Sequence, residues 1–195
     1  KQGKFQQVPI VEIVKPVTKM SRRIDNADKI PVLVRRAFFH SESERPGAVL
    51  LEFPEDIARD NTNAAPITRA PSLVPAPNKN AIREAIKLIN KSSAPILIIG
   101  SDAKRWNIEK EIATFIDQTR ITFATTQLGK GIVPETHPLC LGATALSSKE
   151  PVHNALESAD LILTIGHTTF EKPPFFPDHN RQKIIHINTT STEIS

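Results

Sequence analysis

The stretch Pro95-Ile96-Leu97-Ile98-Ile99-Gly100-Ser101-Asp102 decides the fold. Four consecutive aliphatic residues with no polar alternation describe a strand buried on both faces, and the glycine ends it. The phrase returns as Leu161-Ile162-Leu163-Thr164-Ile165-Gly166-His167. Around these two strands the spacing turns helical, at Ile82, Ala85, Ile86 and Ile89, at Ile108, Ile112, Phe115 and Ile116, and at Val152, Ala155, Leu156 and Ala159. Residues 121–124 and 184–187 add short apolar strands. Short strands separated by helices predict an α/β fold with a doubly wound, mainly parallel sheet. Such sheets bind ligands beyond the carboxyl ends of their strands, where a glycine lets a ring or phosphate approach the backbone. The plainer alternative is a tight turn and nothing more. With one glycine per turn and no Gly-x-Gly-x-x-Gly, the plainer reading leads.

Outward from this core, residues 60–78 carry Pro66, Pro71, Pro75 and Pro77 among Asn, Thr, Ala and Ser. Proline blocks helix and central strand alike, so this is a semi-extended linker. Before it, residues 8–14 read as extended, being rich in β-branched residues. Ile30, Leu33, Val34, Ala37 and Phe38 then recur at helical spacing, with Asp28 as N-cap and Pro31 in the first turn. Residues 44–47 read as a turn and residues 48–53 as a buried strand. The segment is a partial α/β unit. The expected organisation is therefore 1–59, linker 60–78, and 79–195.

The net charge of +4 is a mild excess that argues against a dedicated nucleic-acid binder, and ten aromatics lie in no basic stripe. A hydrophobic fraction of 39% supports a packed core rather than disorder. The single cysteine, Cys140, excludes an intrachain disulfide framework and a cysteine-rich zinc site, and it fits a reducing, cytoplasmic setting. No apolar run is long enough to cross a membrane as a helix. The six histidines form no His-x-x-x-His or His-Glu-x-x-His pair, so no metal site is expected. No Gly-x-Ser-x-Gly elbow occurs, and Thr125-Thr126-Gln127-Leu128-Gly129-Lys130-Gly131 fails the phosphate-loop template, because no Ser or Thr follows the lysine. Residue 1 is Lys, from which a piece of a longer product is expected.

The order of several short phrases carries more than any one of them. They run Phe5-Gln6, Pro16-Val17-Thr18-Lys19, Ile30-Pro31, Ala37-Phe38, Arg45-Pro46-Gly47-Ala48-Val49 and Phe53-Pro54-Glu55-Asp56. Beyond the linker follow residues 95–100, residues 125–131, His137-Pro138-Leu139, Leu141-Gly142, Ala159-Asp160-Leu161-Ile162-Leu163 and Ile185-His186-Ile187-Asn188. In this order the chain resembles the thiamine-diphosphate-dependent decarboxylase superfamily, in particular acetolactate synthase large subunits and their relatives, from Phe5 to Ile194.

The resemblance implies the end of a pyrimidine-binding domain (1–59), a linker, and a Rossmann-like central domain (79–195). It implies thiamine diphosphate and Mg²⁺ in the parent enzyme, 2-oxo acid substrates such as pyruvate, and a homodimer or tetramer. The activating glutamate of the family falls before Lys1, and the Gly-Asp-Gly that holds the diphosphate is absent, so no catalytic residue and no metal ligand is expected here. Phe5 and Gln6 match the pair at the substrate end of the cavity, and Phe5 is equally well a core aromatic. Arg45 matches an arginine that contacts the flavin in flavin-binding members. FAD is held in some relatives, and its candidate contacts here are Gly100, Ser101, Gly129, Gly142 and Gly166. The departures are plain. Gly100-Ser101-Asp102 stands in place of a triple glycine, and residues 167–172 replace Arg-Phe-Asp-Asp-Arg. Asn188, Thr189 and Thr190 replace acids, and Glu55 replaces a lysine. The fragment alone is expected to be inert. A non-catalytic scaffold or dimerisation unit, and a nucleotide-binding regulatory module, stay as alternatives.

Overall fold

The computed structural model describes residues 8–68, 76–144, 151–168, 171 and 181–189. The chain divides into two compact units between Val74 and Pro75.

The first unit runs α1 (Ile10–Val14), β1 (Met20–Arg23), α2 (Ile30–Glu42), β2 (Val49–Glu52) and α3 (Glu55–Arg59). β1 and β2 pair in parallel, Met20 opposite Val49 and Arg23 opposite Glu52, with α2 as the crossover. Residues 8–14, expected extended, are mostly helix. Ile10, Val11 and Val14 are half-buried while Glu12 and Ile13 are exposed. That is a helical face, and Pro9 stands at its N-cap. Packing along that face overrides the β-branched composition. Asp28 is not the cap of α2. Asn26 caps the 3₁₀ turn before it, accepting from Asp28 N at 2.7 Å, and the Asp28 carboxylate accepts from Thr62 Oγ1 at 2.6 Å. β2, expected buried, is only half-buried along its length.

The second unit runs α4 (Lys79–Lys91), β3 (Pro95–Ile99), α5 (Asp102–Arg105), α6 (Glu109–Thr119), β4 (Thr122–Thr126), β5 (Cys140–Thr144), α7 (Pro151–Ser158), β6 (Leu161–Ile165) and β7 (Lys183–Ile187). The sheet order is β5-β4-β3-β6-β7, all pairs parallel. Both faces are covered. Leu97, Ile99, Phe123 and Leu163 pack with Ala103, Ile112 and Ile116 from α5 and α6. Ile96, Ile98, Ala124 and Ile162 pack with Val152 and Leu156 of α7. This is the doubly wound α/β architecture expected, and its strand order reverses between β3 and β6.

Candidate functional site

The point of reversal is where such a sheet offers a crevice. β3 and β6 lie side by side, Ile99 opposite Ile165, so Gly100 and Gly166 emerge next to each other. Gly100 N donates to Ile165 O at 2.8 Å, and Asp102 N donates to Gly166 O at 3.1 Å. A Cβ on Gly100 would stand 2.4 Å from Gly166 O, and one on Gly166 would stand 2.4 Å from Ala103 N. Gly166 also has φ +62°. The two glycines thus let two backbones meet. Gly129 behaves alike, its Cβ position lying 2.3 Å from Ile99 O.

Into this crevice comes Glu171, 3% exposed. Its Oε1 accepts from Ser101 N at 3.1 Å and from Ser101 Oγ at 2.9 Å. Its Oε2 accepts from Thr126 Oγ1, which in turn accepts from Gly129 N at 3.0 Å. One buried carboxylate therefore ties together the ends of β3 and β4. Beside it, burial pushes the His167 imidazole below the ordinary histidine range. The Glu171 charge opposes that fall and His186 adds to it. Burial lowers His186 as well, and its Nδ1 lies 2.7 Å from Thr164 Oγ1. Asn188 Nδ2 donates to His167 O at 3.1 Å.

Of the residues expected from sequence, Gly100, Ser101, Gly129 and Gly166 converge on this crevice. Gly142 lies instead within β5, at an irregularity where Cys140 faces Phe123 and Ala143 faces Thr125. Its φ of +102° is what that bulge requires. Arg45 belongs to the first unit, in the turn after α2, where its carbonyl accepts from Lys19 Nζ at 2.7 Å. Phe5 and Gln6 lie outside the described residues. Glu171, Thr126 and His167 went unassigned. Glu171 was findable as the one acid in the ten residues after Gly166.

A profile of the thiamine pyrophosphate enzyme central domain matches residues 82–195. Acetolactate synthase 2, chloroplastic, of Nicotiana tabacum is 31% identical over 97% of this chain and 30% of its own length. Mouse 2-hydroxyacyl-CoA lyase 1 is 32% identical over 84% of this chain and 28% of its own. The crystal structure of benzoylformate decarboxylase from Polynucleobacter necessarius superposes with a TM-score of 0.81 at 21% identity, covering 95% of this chain and 35% of that one. The chain thus spans about 30% of the length of the synthase it matches. With more than half of its residues inside the central-domain profile, the chain belongs to the thiamine pyrophosphate enzyme family.

Proposed function

We propose that this chain is part of a thiamine-diphosphate enzyme acting on 2-oxo acids in the manner of an acetolactate synthase. In that reaction pyruvate loses CO₂ and its two-carbon remainder joins a second 2-oxo acid. Bound thiamine diphosphate supplies the carbanion chemistry. The observation behind this reading is the 31% identity to the tobacco synthase, which runs through both units. Residues 1–59 read as the end of the pyrimidine-binding domain, 60–78 as the linker and 79–195 as the central domain. The residues present do not fit the diphosphate and Mg²⁺. No Gly-Asp-Gly occurs, and among the described residues no group of His, Cys, Asp or Glu is placed to hold a metal ion. The role assigned to the chain is therefore architectural, with Phe5 and Gln6 at the substrate end of the cavity and a homo-oligomer in the cytoplasm as its setting. No helix among the described residues is long and apolar enough to cross a membrane.

The test is made on the full-length protein that carries this sequence. It should purify with thiamine diphosphate and form acetolactate from pyruvate with Mg²⁺, whereas the 195-residue chain should give no turnover. A full-length protein with neither cofactor nor turnover would overturn the enzyme reading in favour of a scaffold. The exposed apolar groove on α2 favours that second reading. Turnover by the chain alone would overturn its inertness.

A further inference from the structure

The turn between β3 and α5 has no backbone donor left to offer. Gly100 N and Asp102 N donate across to Ile165 O and Gly166 O, Ala103 N donates to Gly100 O at 3.3 Å, and Lys104 N to Ser101 O at 3.1 Å. The one amide remaining, Ser101 N, donates to Glu171, as does the Ser101 hydroxyl. At the end of the next strand the Thr126 hydroxyl donates to the other carboxylate oxygen. In a doubly wound sheet, these two strand ends are where a dinucleotide sets its pyrophosphate and its ribose. The pyrophosphate needs free donors and the ribose needs an acid. Here the donors are taken, and β4 ends in Thr126 followed by Gln127.

We propose that Glu171 is a built-in plug: an internal anion that fills the crevice beyond β3 and β4, so that this unit takes no dinucleotide, FAD included. A ligand phosphate would have to displace a buried carboxylate or lie against its like charge, where low dielectric magnifies the repulsion. The glycines give no compensating room, since the Cβ positions of Gly100, Gly129 and Gly166 all stand within 2.4 Å of backbone atoms. The same bonds hold Glu171 to the ends of β3 and β4. The inference concerns this unit alone and does not depend on the proposed reaction.

The experiment titrates the 195-residue chain with FAD and with ADP, reading flavin fluorescence and heat. No saturable binding is expected up to about 1 mM, where even weak association would register. Saturation within that range overturns the proposal. The plug itself is read by melting. Glu171→Ala should lower the melting temperature by roughly 5–10 °C, and Glu171→Gln, which keeps the shape and one acceptor, by less. Equal melting of all three proteins overturns the plug. Should Glu171→Ala not fold, amide exchange in the unmodified chain decides. A Ser101 amide protected like its neighbours in β3 is expected, and a freely exchanging one overturns the bond that defines the plug.

Discussion

Glycine at positions 100 and 166, like Gly129, is dictated by contact between two backbones, and this separates them from Gly131 and Gly142 in the same unit. A methyl group on Gly100 meets Gly166 O at 2.4 Å and His167 Cα at 2.5 Å, neither of which can rotate away. Gly100→Ala should therefore destabilise the second unit by about 2–4 kcal/mol, read as a fall in the urea midpoint. Gly131, with φ +82° and nothing within 4 Å of its Cβ position, carries only the left-handed penalty. Gly131→Ala should cost about 1 kcal/mol. Equal losses in the two variants would contradict the contact. The histidines beside Glu171 set a pH dependence. Both His167 and His186 have imidazoles lowered by burial from the ordinary value of 6.5. Between their lowered values and 6.5 the unfolded chain binds more protons, so stability rises with pH there. Urea midpoints should therefore fall as pH drops below 6.5, and His186→Asn should flatten the slope. A midpoint constant between pH 7.5 and 5 would refute this. Gly100, Ser101, Gly129 and Gly166, named from the sequence as candidate flavin contacts, are brought together at the crevice, as residues near the ends of neighbouring strands. The central residue, Glu171, is the one acid in the ten residues after Gly166, but that position marks it only once the strand ends are known to converge.

The elements most legible in the sequence were those whose surroundings are uniform. β3 and β6 are buried on both faces, so every residue is apolar or small and the pattern is unambiguous. β5 gave no such signal. It is an edge strand whose residues range from exposed to buried, and Gly142 breaks its pairing. α1 was misread because its half-buried face, Ile10, Val11 and Val14, is made of residues that favour strands. α4 was found, but only part of its expected stripe is its packed face. Leu88 and Ile89 pack on the core while Ile82 and Ile86 are 44% and 51% exposed. The turn from α4 into β3 is held in addition by a polar clamp that hydrophobic periodicity cannot report. The Asp160 carboxylate, just before β6, accepts from Ser93 N at 2.8 Å, from Ala94 N at 3.1 Å, and from the Ser92 hydroxyl. Those bonds hold its carboxyl below the usual range of 3.8, the Ser92 bond most of all. Asp160→Ala should lower stability by roughly 1–3 kcal/mol and loosen amide protection in residues 92–95 ahead of the rest of the unit. Because the native carboxyl is the stronger acid, the clamp's contribution is present above 3.8 and fades as pH falls through its lowered value. A variant with wild-type stability at pH 7 would show the clamp to be idle.

At the scale of the whole molecule the two units differ in how well each satisfies itself. The second has a five-stranded sheet covered on both faces. Among the described residues the first has two parallel strands, and parallel sheets are normally buried on both sides. Its helix α2 shows the consequence. Val32, Phe38 and Phe39 are 47%, 58% and 55% exposed, and Phe53, after β2, is 52% exposed. A groove of about 480 Å³ runs along α2, lined by Ile30, Pro31, Val34 and Phe38 with Pro66 and Ile67 opposite. Contiguous apolar surface of this kind drives association. The expected outcome is that the chain self-associates through α2, with a mean mass above 21.6 kDa in sedimentation equilibrium that rises with concentration. Replacing Phe38 and Phe39 together by Ser should return it to the monomer mass. Both side chains are more exposed than not, so their removal leaves no cavity, and the melting of the second unit should stay unchanged. That control separates loss of a contact between copies from loss of the fold. A chain monomeric at every concentration, with the amides of α2 protected, would mean that the first unit is self-sufficient and that its apolar face is no interface.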